Sequence, residues 1–323
     1  MQLNKGLIGS LCLAMAFGHV NAASEYPQKP IRWIVPNPPG GGADTAVRLI
    51  ADTLSPVIAQ TLIIENRPGA GTVIGADAAA RSKPDGYTIL TGDLSTFATN
   101  PWLFKKMAYD PGKDFKYVSL TTRYPLLLVA RKNLPAENVS ELIAYAKTHP
   151  GKLNFGTAGF GVPHHFALEL LMEKTGARFT HIPFKGSAAA LQNMMSQDGV
   201  DIMFLDIASG HQYVRGNAIK VYGIATSERF NALPEVPTLK EAGLDFEFDL
   251  WQGVAVPAAT PLNIVDRLSR DIAKALSDPT LQSKMRQIGA EPVGSTPQQF
   301  KEHVEKERLR WGKLIAEKGI SLE

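Results

Sequence analysis

The chain has 323 residues, of which 44% are hydrophobic and 20% charged, and 34 basic against 31 acidic side chains give a formal net charge of +3. This composition is typical of a globular protein and excludes a disordered, a collagen-like or a disulfide-built chain. The length suggests about two domains of about 150 residues each. A charge of +3 spread over this length is too weak to favour nucleic-acid binding.

The first 22 residues have the pattern of a secretory signal peptide. A lysine precedes an uncharged apolar stretch at residues 6–17, and Val20 and Ala22 are the small residues expected before a cleavage site. The stretch is shorter than the about 20 residues that span a bilayer, and the alternative is a buried N-terminal helix. The only cysteine, Cys12, lies inside this stretch after a leucine, which does not fit a lipoprotein site. Cleavage after Ala22, or one residue later, predicts an exported, cysteine-free protein of 323 − 22 = 301 residues.

In the exported chain, apolar runs of strand length alternate with amphipathic segments of helix length. The first half predicts strands at residues 31–35, 62–65 and 87–90 and helices at 44–59 and 72–81. After residue 125 the pattern restarts, with strands at 126–130, 153–156, 179–183, 201–205 and 219–225 and helices at 141–148, 163–175, 187–197 and 209–215. An extended segment at 246–256 and helices at 261–276 and 297–317 complete the chain. This alternation predicts an α/β fold with largely parallel sheets, and without a long linker any second domain is expected to be inserted into the first.

Three predicted strands run into glycine-rich loops that open helices, at residues 36–44, 91–96 and 156–163. Glycine lets the backbone approach a ligand closely, and free N–H groups at the start of a helix attract anions. Loops at the carboxyl ends of strands are where open α/β sheets bind ligands. The pattern therefore favours a small anionic ligand. The alternative is that these glycines only make tight turns.

The sequence contains no recognisable nucleotide-binding or catalytic motif. It lacks the P-loop, nucleophile-elbow and H-E-x-x-H patterns, and the exported chain has no cysteine nucleophile. His164 and His165 lie at a predicted helix start, and Glu169 could pair with His165 as an acid–base pair or half a metal site, although a surface pair is the commoner arrangement. Acidic residues at 245, 247 and 249 suggest Ca²⁺, but their alternation with apolar residues is typical of a solvated sheet face. We therefore expect no cofactor and no metal.

The loops and their flanks resemble one known family along almost the whole exported chain. The matching segments are YPQKPI (26–31), VP (35–36), PGGGAD (39–44), ENRPGAG (65–71), PDGYT (84–88), YDP (109–111), KDF (113–115), PGKLN (150–154), IPFKG (182–186), LPEVPT (233–238) and GAEPV (289–293). In these segments the sequence resembles the Bug family, the periplasmic solute-binding proteins of tripartite tricarboxylate transporters.

This resemblance implies a type II periplasmic binding protein fold, in which two α/β lobes with mixed, mostly parallel sheets flank a central ligand cleft. The chain is expected to cross between the lobes near residues 121–124 and 224–227. Lobe 1 would then contain residues 23–122 and 226–323, and lobe 2 residues 123–225. The family binds carboxylates such as di- and tricarboxylates, acidic amino acids or aromatic acids, gripped by loop backbone and ordered water.

Carried over by position, the resemblance and the loop pattern together give one set of candidate ligand-binding residues. They are Pro38, Gly40, Gly41, Gly42, Ala43, Asp44, Thr91, Gly92, Asp93, Ser95, Thr157, Ala158, Gly159, Phe160, Gly161, His164, Lys185 and Asp206. Asp93 and Phe160 depart from the small or polar residues that the family usually has there. Asp93 would repel a carboxylate unless it faces a ligand amine or points away, and Phe160 could stack on a flat ligand or only cover the lobe surface. Amino-acid and aromatic-acid ligands both stay open.

The function predicted from the sequence is that of a periplasmic solute receptor that binds a small carboxylate and delivers it to integral-membrane transporter subunits. One alternative is a sensor that presents its closed form to a signalling protein. Another is a secreted hydrolase or lyase that uses His164, His165 and Glu169. We expect a monomer that does not bind nucleic acid.

Overall fold

A computed structural model describes residues 26–196 and 199–322 of the chain, and the predicted signal peptide at residues 1–22 lies outside the described residues. The strands are β1 Ile31–Val35, β2 Leu62–Asn66, β3 Thr88–Asp93, β4 Phe115–Arg131, β5 Asn154–Thr157, β6 Thr180–Pro183, β7 Ile202–Asp206, β8 Ile219–Ile224, β9 Asp249–Pro257 and β10 Glu291–Pro292. The helices are α1 Gly42–Ile58, α2 Val73–Ala80, α3 Asn100–Leu103, α4 Val139–Thr148, α5 Pro163–Thr175, α6 Ser187–Ser196, α7 Ile207–Arg215, α8 Leu262–Leu276, α9 Pro279–Gln287 and α10 Pro297–Lys318.

These elements form two mixed sheets that share the long strand β4. In the first sheet the order is β2-β1-β3-β9-β4, with β10 also beside β4. In the second sheet β4 lies beside both β7 and β8, and the order continues from β7 to β5 and β6. The pairs of β1 with β2 and β3, and of β5 with β6 and β7, are parallel, whereas the described pairs that include β4 or β9 are antiparallel.

The predicted elements are largely present, with shifted ends. The extended segment predicted at 246–256 is β9, and the helix predicted at 209–215 begins two residues earlier because Asp206 is its N-cap. The loop predicted at 91–96 is instead the end of β3 followed by a π-helical turn, Ser95–Thr99. Sequence patterning missed α3, α9 and β10, which are short and lack a clear apolar period.

β4 carries the chain from the first sheet into the second. Up to Pro125 it pairs with β9, and from Leu126 onwards it pairs with β7 and β8. This point lies next to the predicted crossing at residues 121–124. β9 runs antiparallel to β4 and begins with Asp249 paired to Pro125, so the chain returns to the first sheet beside the point where β4 leaves it.

Residues 226–248, which the predicted boundaries assign to the first lobe, pack against the second sheet. The backbone N–H of Leu239 donates to the Ile224 carbonyl at 2.8 Å, and the Phe246 ring stacks on Phe204 with centroids 5.1 Å apart. These contacts favour a return crossing at residues 248–250 rather than at 224–227. The lobe boundaries therefore stay a proposal, with the second lobe extended to about residue 248.

The helix α10 packs on both lobes. A capping box between Thr296 and Gln299 and a proline in its first turn fix its start. Its Phe300 ring packs against Trp251 of β9 at 5.8 Å, and its Trp311 ring packs against Phe166 of α5 at 5.6 Å. The apolar core therefore continues from one lobe into the other along this helix.

Candidate ligand-binding cleft

A cavity of about 300 Å³ lies where the two lobes meet. Its walls come from the starts of three helices, the end of β3 and both crossing strands. The lining residues are Asn37, Gly42, Ala43, Asp93, Leu94, Tyr124, Pro163, His164, Asp206, Ser209, Leu250, Trp251 and Gln252. The three glycine-rich loops singled out in the sequence therefore converge, at least in part, on one space.

Among the candidate residues, those that line this cavity are Gly42, Ala43, Asp93, His164 and Asp206. Gly42 and Ala43 open α1, His164 is in the first turn of α5, and Asp206 is the N-cap of α7. Each of these four residues belongs to a strand-to-helix junction. They come together because parallel strands bring such junctions to the same edge of their sheets. The remaining candidates lie outside the lining, and most have a structural partner.

In the first loop, the buried Asp44 holds the backbone in place. Its carboxylate accepts hydrogen bonds from the Gly40 N–H at 2.9 Å, the Arg48 guanidinium at 2.8 Å and the Asn66 amide at 2.8 Å. Burial raises the pKa of Asp44, but these bonds outweigh it and keep that pKa below its usual value. Pro38, Gly40 and Gly41 are exposed and lie outside the cavity lining. Asp44 therefore positions the loop.

In the second loop, Thr91 and Gly92 belong to the packed interior. The Thr91 hydroxyl accepts a hydrogen bond from the Trp33 indole at 2.7 Å. A Cβ at Gly92 would come within 2.1 Å of the Phe97 ring, so only glycine fits there. Ser95 is half-buried at the start of the π-helical turn and lies outside the lining.

Asp93, at the end of β3, presents a carboxyl group to the cavity. Its Oδ1 accepts hydrogen bonds from the Thr96 N–H at 2.9 Å and the Thr96 hydroxyl at 2.8 Å. Burial raises the pKa of Asp93 above its usual value, although hydrogen bonds from Thr96, Asn37 and Ser95 oppose the shift. This carboxyl group is therefore held in a fixed orientation and is poorly solvated.

In the third loop, residues 157–161 lie outside the cavity lining and contact an aromatic stack of Phe160, His165 and His181. The Phe160 ring lies 4.6 Å from His165, and His165 stacks on His181 at 4.3 Å. The Thr157 hydroxyl contacts His181 Nε2 at 2.6 Å, and the Gly161 N–H donates to His165 Nδ1 at 3.2 Å. Phe160 itself is 48% exposed.

The remaining third-loop candidates, Ala158 and Gly159, also lie outside the cavity lining, and Lys185 is exposed on the loop after β6. The third loop thus reaches the cavity only through its last residues, Pro163 and His164.

His164, which lines the cavity, contacts residues at the starts of two other helices, α7 and α6. Its Nε2 lies 3.3 Å from Asp206 Oδ1 and 3.2 Å from the Ser187 hydroxyl. A Ser-His-Asp triad needs the carboxylate on Nδ1 and the hydroxyl on Nε2, whereas here both partners meet the same nitrogen. Burial raises the pKa of Asp206, but the charge and hydrogen bond of His164 and the bond from Ser187 outweigh it, so the pKa lies below its usual value. The cluster therefore holds an ionised Asp206 at the cavity.

The structure changes one other interpretation of the sequence. The pair His165–Glu169, expected at the surface, is largely buried: side-chain exposures are 4% and 15%, with Nε2 and Oε1 3.7 Å apart. In the part of the chain that the structure describes, no three His, Cys, Asp or Glu side chains are grouped to hold a metal ion. The side chain of Asp249, one of the three acidic residues considered for Ca²⁺, lies outside that part.

Sequence reasoning missed the cavity residues of the crossing strands, Tyr124 on β4 and Leu250, Trp251 and Gln252 on β9. The Trp251 Nε1 is buried without a hydrogen-bond partner. The Gln252 amide lies beside the Tyr124 hydroxyl, but its buried Nε2 makes no hydrogen bond of standard geometry. Buried polar groups of this kind usually find a partner. The available sequence signal was a glutamine inside the largely apolar extended segment 246–256, but the return crossing was expected at residues 224–227.

A second cavity of about 310 Å³ lies on residues flanking the crossings. Its charged lining is mixed, with Arg123 and Arg229 against Glu228, Glu247 and Glu291. It contains no residue of the three glycine-rich loops.

A family model described as the tripartite tricarboxylate transporter family receptor matches residues 46–320. The chain belongs to this receptor family. The receptor is 34% identical over 307 residues to Protein BugT of Bordetella pertussis, a match that covers 94% of this chain and 93% of BugT. The predicted Bug-family resemblance is thereby confirmed.

Solved structures confirm the predicted fold class as well. The receptor resembles R. palustris Rpa4515 with adipate (35% identity, TM-score 0.80, covering 92% of this chain and 100% of the other). It also resembles MatC (Rpa3494) from Rhodopseudomonas palustris with bound malate (35% identity, TM-score 0.75, covering 90% and 100%). Members of this family are periplasmic solute receptors rather than enzymes. Among its described residues, no helix is both long and apolar enough to cross a membrane.

Proposed function

We propose that the receptor binds a small carboxylate in the cavity between its lobes and delivers it to integral-membrane subunits of a tripartite transporter. It would act in the periplasm, after removal of the predicted signal peptide, and as a monomer. The relatives bound to adipate and malate support a carboxylate as the ligand class.

The observation that carries this proposal is the convergence of three uncapped helix starts on the cavity. The first turns of α1, α5 and α7 contribute Gly42, His164 and Ser209 to the lining. None of these three helices has a side-chain hydrogen bond at its N-cap. Elsewhere, α4, α9 and α10 are capped by an asparagine, an aspartate and a threonine, whereas α2, α3 and α8 also lack such a bond but do not line the cavity. The free N–H groups and partial positive charge of the three starts suit an anionic group.

A thermal-shift screen of the exported chain, residues 23–323, tests the proposal. The panel contains adipate, malate, citrate, aspartate, glutamate and benzoate, with arabinose and spermidine as non-acid controls. A ligand at 100 times its Kd stabilises the folded state by about 2.7 kcal/mol, so the melting temperature should rise by several degrees. Stabilisation by the sugar or the polyamine but by no acid would contradict the carboxylate proposal.

A further inference from the structure

The ligand cavity carries acidic side chains but no lysine or arginine among its described lining residues. Asp93 enters from the first lobe and Asp206 from the second. His164 offsets Asp206 at 3.3 Å, whereas Asp93 has hydrogen-bond donors but no basic partner within the described chain. One cavity wall is therefore negatively charged when Asp93 is ionised.

The two carboxyl groups face a common space. Burial raises the pKa of the Tyr124 hydroxyl, and the charges of Asp93 and Asp206 raise it further. Tyr124 itself lines the cavity between the lobes. Strand register places Gln252 directly opposite Asp93, Gln252 is 2% exposed, and its Nε2 has no standard hydrogen-bond partner. A polar group bound beside Asp93 would give that amide a partner.

A ligand with two anionic ends would have to place one of them against this acidic wall. The uncapped helix starts can hold one carboxylate, but the poorly solvated carboxyl of Asp93 repels a second one if it is ionised. A cationic group at that position reverses the sign of the interaction and favours the ionised carboxylate. Thr96 bonds only Oδ1 of Asp93, and each carboxylate oxygen has more than one lone pair, so the carboxylate can accept from such a group in addition to its bonds from Asn37 and Ser95.

We propose that the ligand is zwitterionic: an amino acid or related compound whose carboxylate meets the helix starts and whose protonated amine contacts Asp93. This inference rests on the proposed function, since it assumes that the cavity binds a carboxylate. It makes Asp93 the residue that distinguishes amino-bearing acids from plain carboxylic acids.

The test compares matched acids that differ only by an amine, with Kd measured by calorimetry on the exported chain. The pairs are aspartate with succinate, 2-aminoadipate with adipate, 4-aminobutyrate with butyrate, and 6-aminohexanoate with hexanoate. In the pair that fits the cavity, the amino-bearing acid should bind at least 10-fold tighter. Asp93→Asn should weaken that acid at least 10-fold and leave the plain acid unchanged or tighter.

Asn at position 93 keeps an oxygen acceptor for Thr96, so the fold should survive, and the melting temperature of the ligand-free variant checks this. Asp52→Asn, on the exposed middle of α1, is the control that removes a charge from the same lobe outside the cavity. It should leave every Kd within about 2-fold of that of the wild type. The wild-type comparison of matched acids needs no variant and stands by itself.

The outcomes separate the inference from the proposed function. If plain acids bind as well as their amino-bearing partners or better, or if Asp93→Asn leaves the amino acid unaffected, the zwitterion inference is overturned and the carboxylate receptor stands. If Asp93→Asn binds a plain dicarboxylate more strongly but does not weaken the amino-bearing acid, the inference is likewise overturned, and Asp93 is a repulsive group only. If no acid of either kind binds, the proposed function fails and the inference fails with it.

Discussion

Gly42 contributes only backbone to the cavity, at the first position of α1. A Cβ built there would meet no atom within 4 Å, and the residue does not occupy the left-handed region that favours glycine. A side chain can therefore be added at this position without disturbing the loop. It would project at the helix start, where an anionic ligand group is expected.

We predict that Gly42→Asp weakens ligand binding at least 10-fold, because the new carboxylate occupies and repels the anion position. The fold should be retained, since an acidic residue in the first turn of a helix is stabilising by about 0.3–1 kcal/mol. Gly42→Asn, of nearly the same size but uncharged, is the matched control and should bind markedly better than the aspartate variant. Calorimetry gives both affinities, and equal affinities would show that charge at this helix start does not matter to the ligand.

The positions of the glycine-rich loops could be predicted from the sequence, but not which of their residues face the cavity. Asp44, Thr91 and Gly92 belong to the expected loops, yet they do not line the cavity. Asp44 and Thr91 accept hydrogen bonds within the protein, and Gly92 packs closely against a neighbouring ring. Burial and hydrogen bonding depend on neighbours distant in the chain, such as Trp33 and Phe97. A sequence motif predicts the position of a loop along the chain, whereas the neighbours in the folded protein determine which way each side chain points.

The crossing strands β4 and β9 pack closely against α10. At Gly253 of β9, a Cβ would lie 2.4 Å from the Phe300 ring of α10 and 2.6 Å from the Ser119 carbonyl of β4. The first neighbour is a buried ring and the second is backbone in a sheet, so neither can move easily. Glycine therefore allows α10 to lie directly on the strand pair that joins the lobes.

We predict that Gly253→Ala lowers the free energy of unfolding by about 1–3 kcal/mol, the usual cost of an overpacked core. Urea denaturation of the ligand-free protein measures it. Gly42→Ala is the control, because its methyl group meets no neighbour within 4 Å, and its stability should stay within about 0.5 kcal/mol of that of the wild type. A Gly253→Ala variant as stable as the control would mean that α10 is free to shift.

Sequence patterning predicted most strands and helices, but it placed the return crossing about 24 residues before the position that the contacts of residues 226–248 favour. That segment is rich in turns and has no helical or strand period between β8 and β9. Its proposed membership of the second lobe rests on contacts such as Leu239 to Ile224 and Phe246 on Phe204, which join distant parts of the chain. Only three-dimensional packing could assign it.

At the scale of the whole molecule, the two lobes are joined by β4, by β9 and by α10. The Lys318 ammonium at the end of α10 lies 3.8 Å from Glu169 of α5, and Glu169 in turn lies 3.7 Å from His165. The end of α10 thus reaches the buried His165 of the second lobe, which stacks on the half-buried His181. The protonation of these histidines bears on the stability of the joined molecule.

We predict that the receptor loses stability between about pH 6.5 and pH 4 because His165 is buried as the neutral form. Burial, and then the charge of His181, lower the pKa of His165 from 6.5 to about 4. The unfolded chain therefore binds a proton in this window that the folded chain does not, so the stabilisation is complete above pH 6.5 and is lost as the pH falls towards 4. The shift corresponds to about 3 kcal/mol at full extent.

Urea denaturation at pH 7.5 and pH 4.5 of the wild type and of His165→Gln measures this term. The wild type should lose about 2–3 kcal/mol more stability on acidification than the variant. Carboxylates with lowered pKa values, such as Asp44 and Asp206, also make the protein less stable in acid, but both proteins retain them, so their contribution cancels in the comparison. His149→Gln, at an exposed histidine, is the control and should follow the wild type. If His165→Gln loses as much stability as the wild type, then His165 ionises in the folded receptor as it does in the unfolded chain, and the stacked pair is not what makes the receptor sensitive to acid.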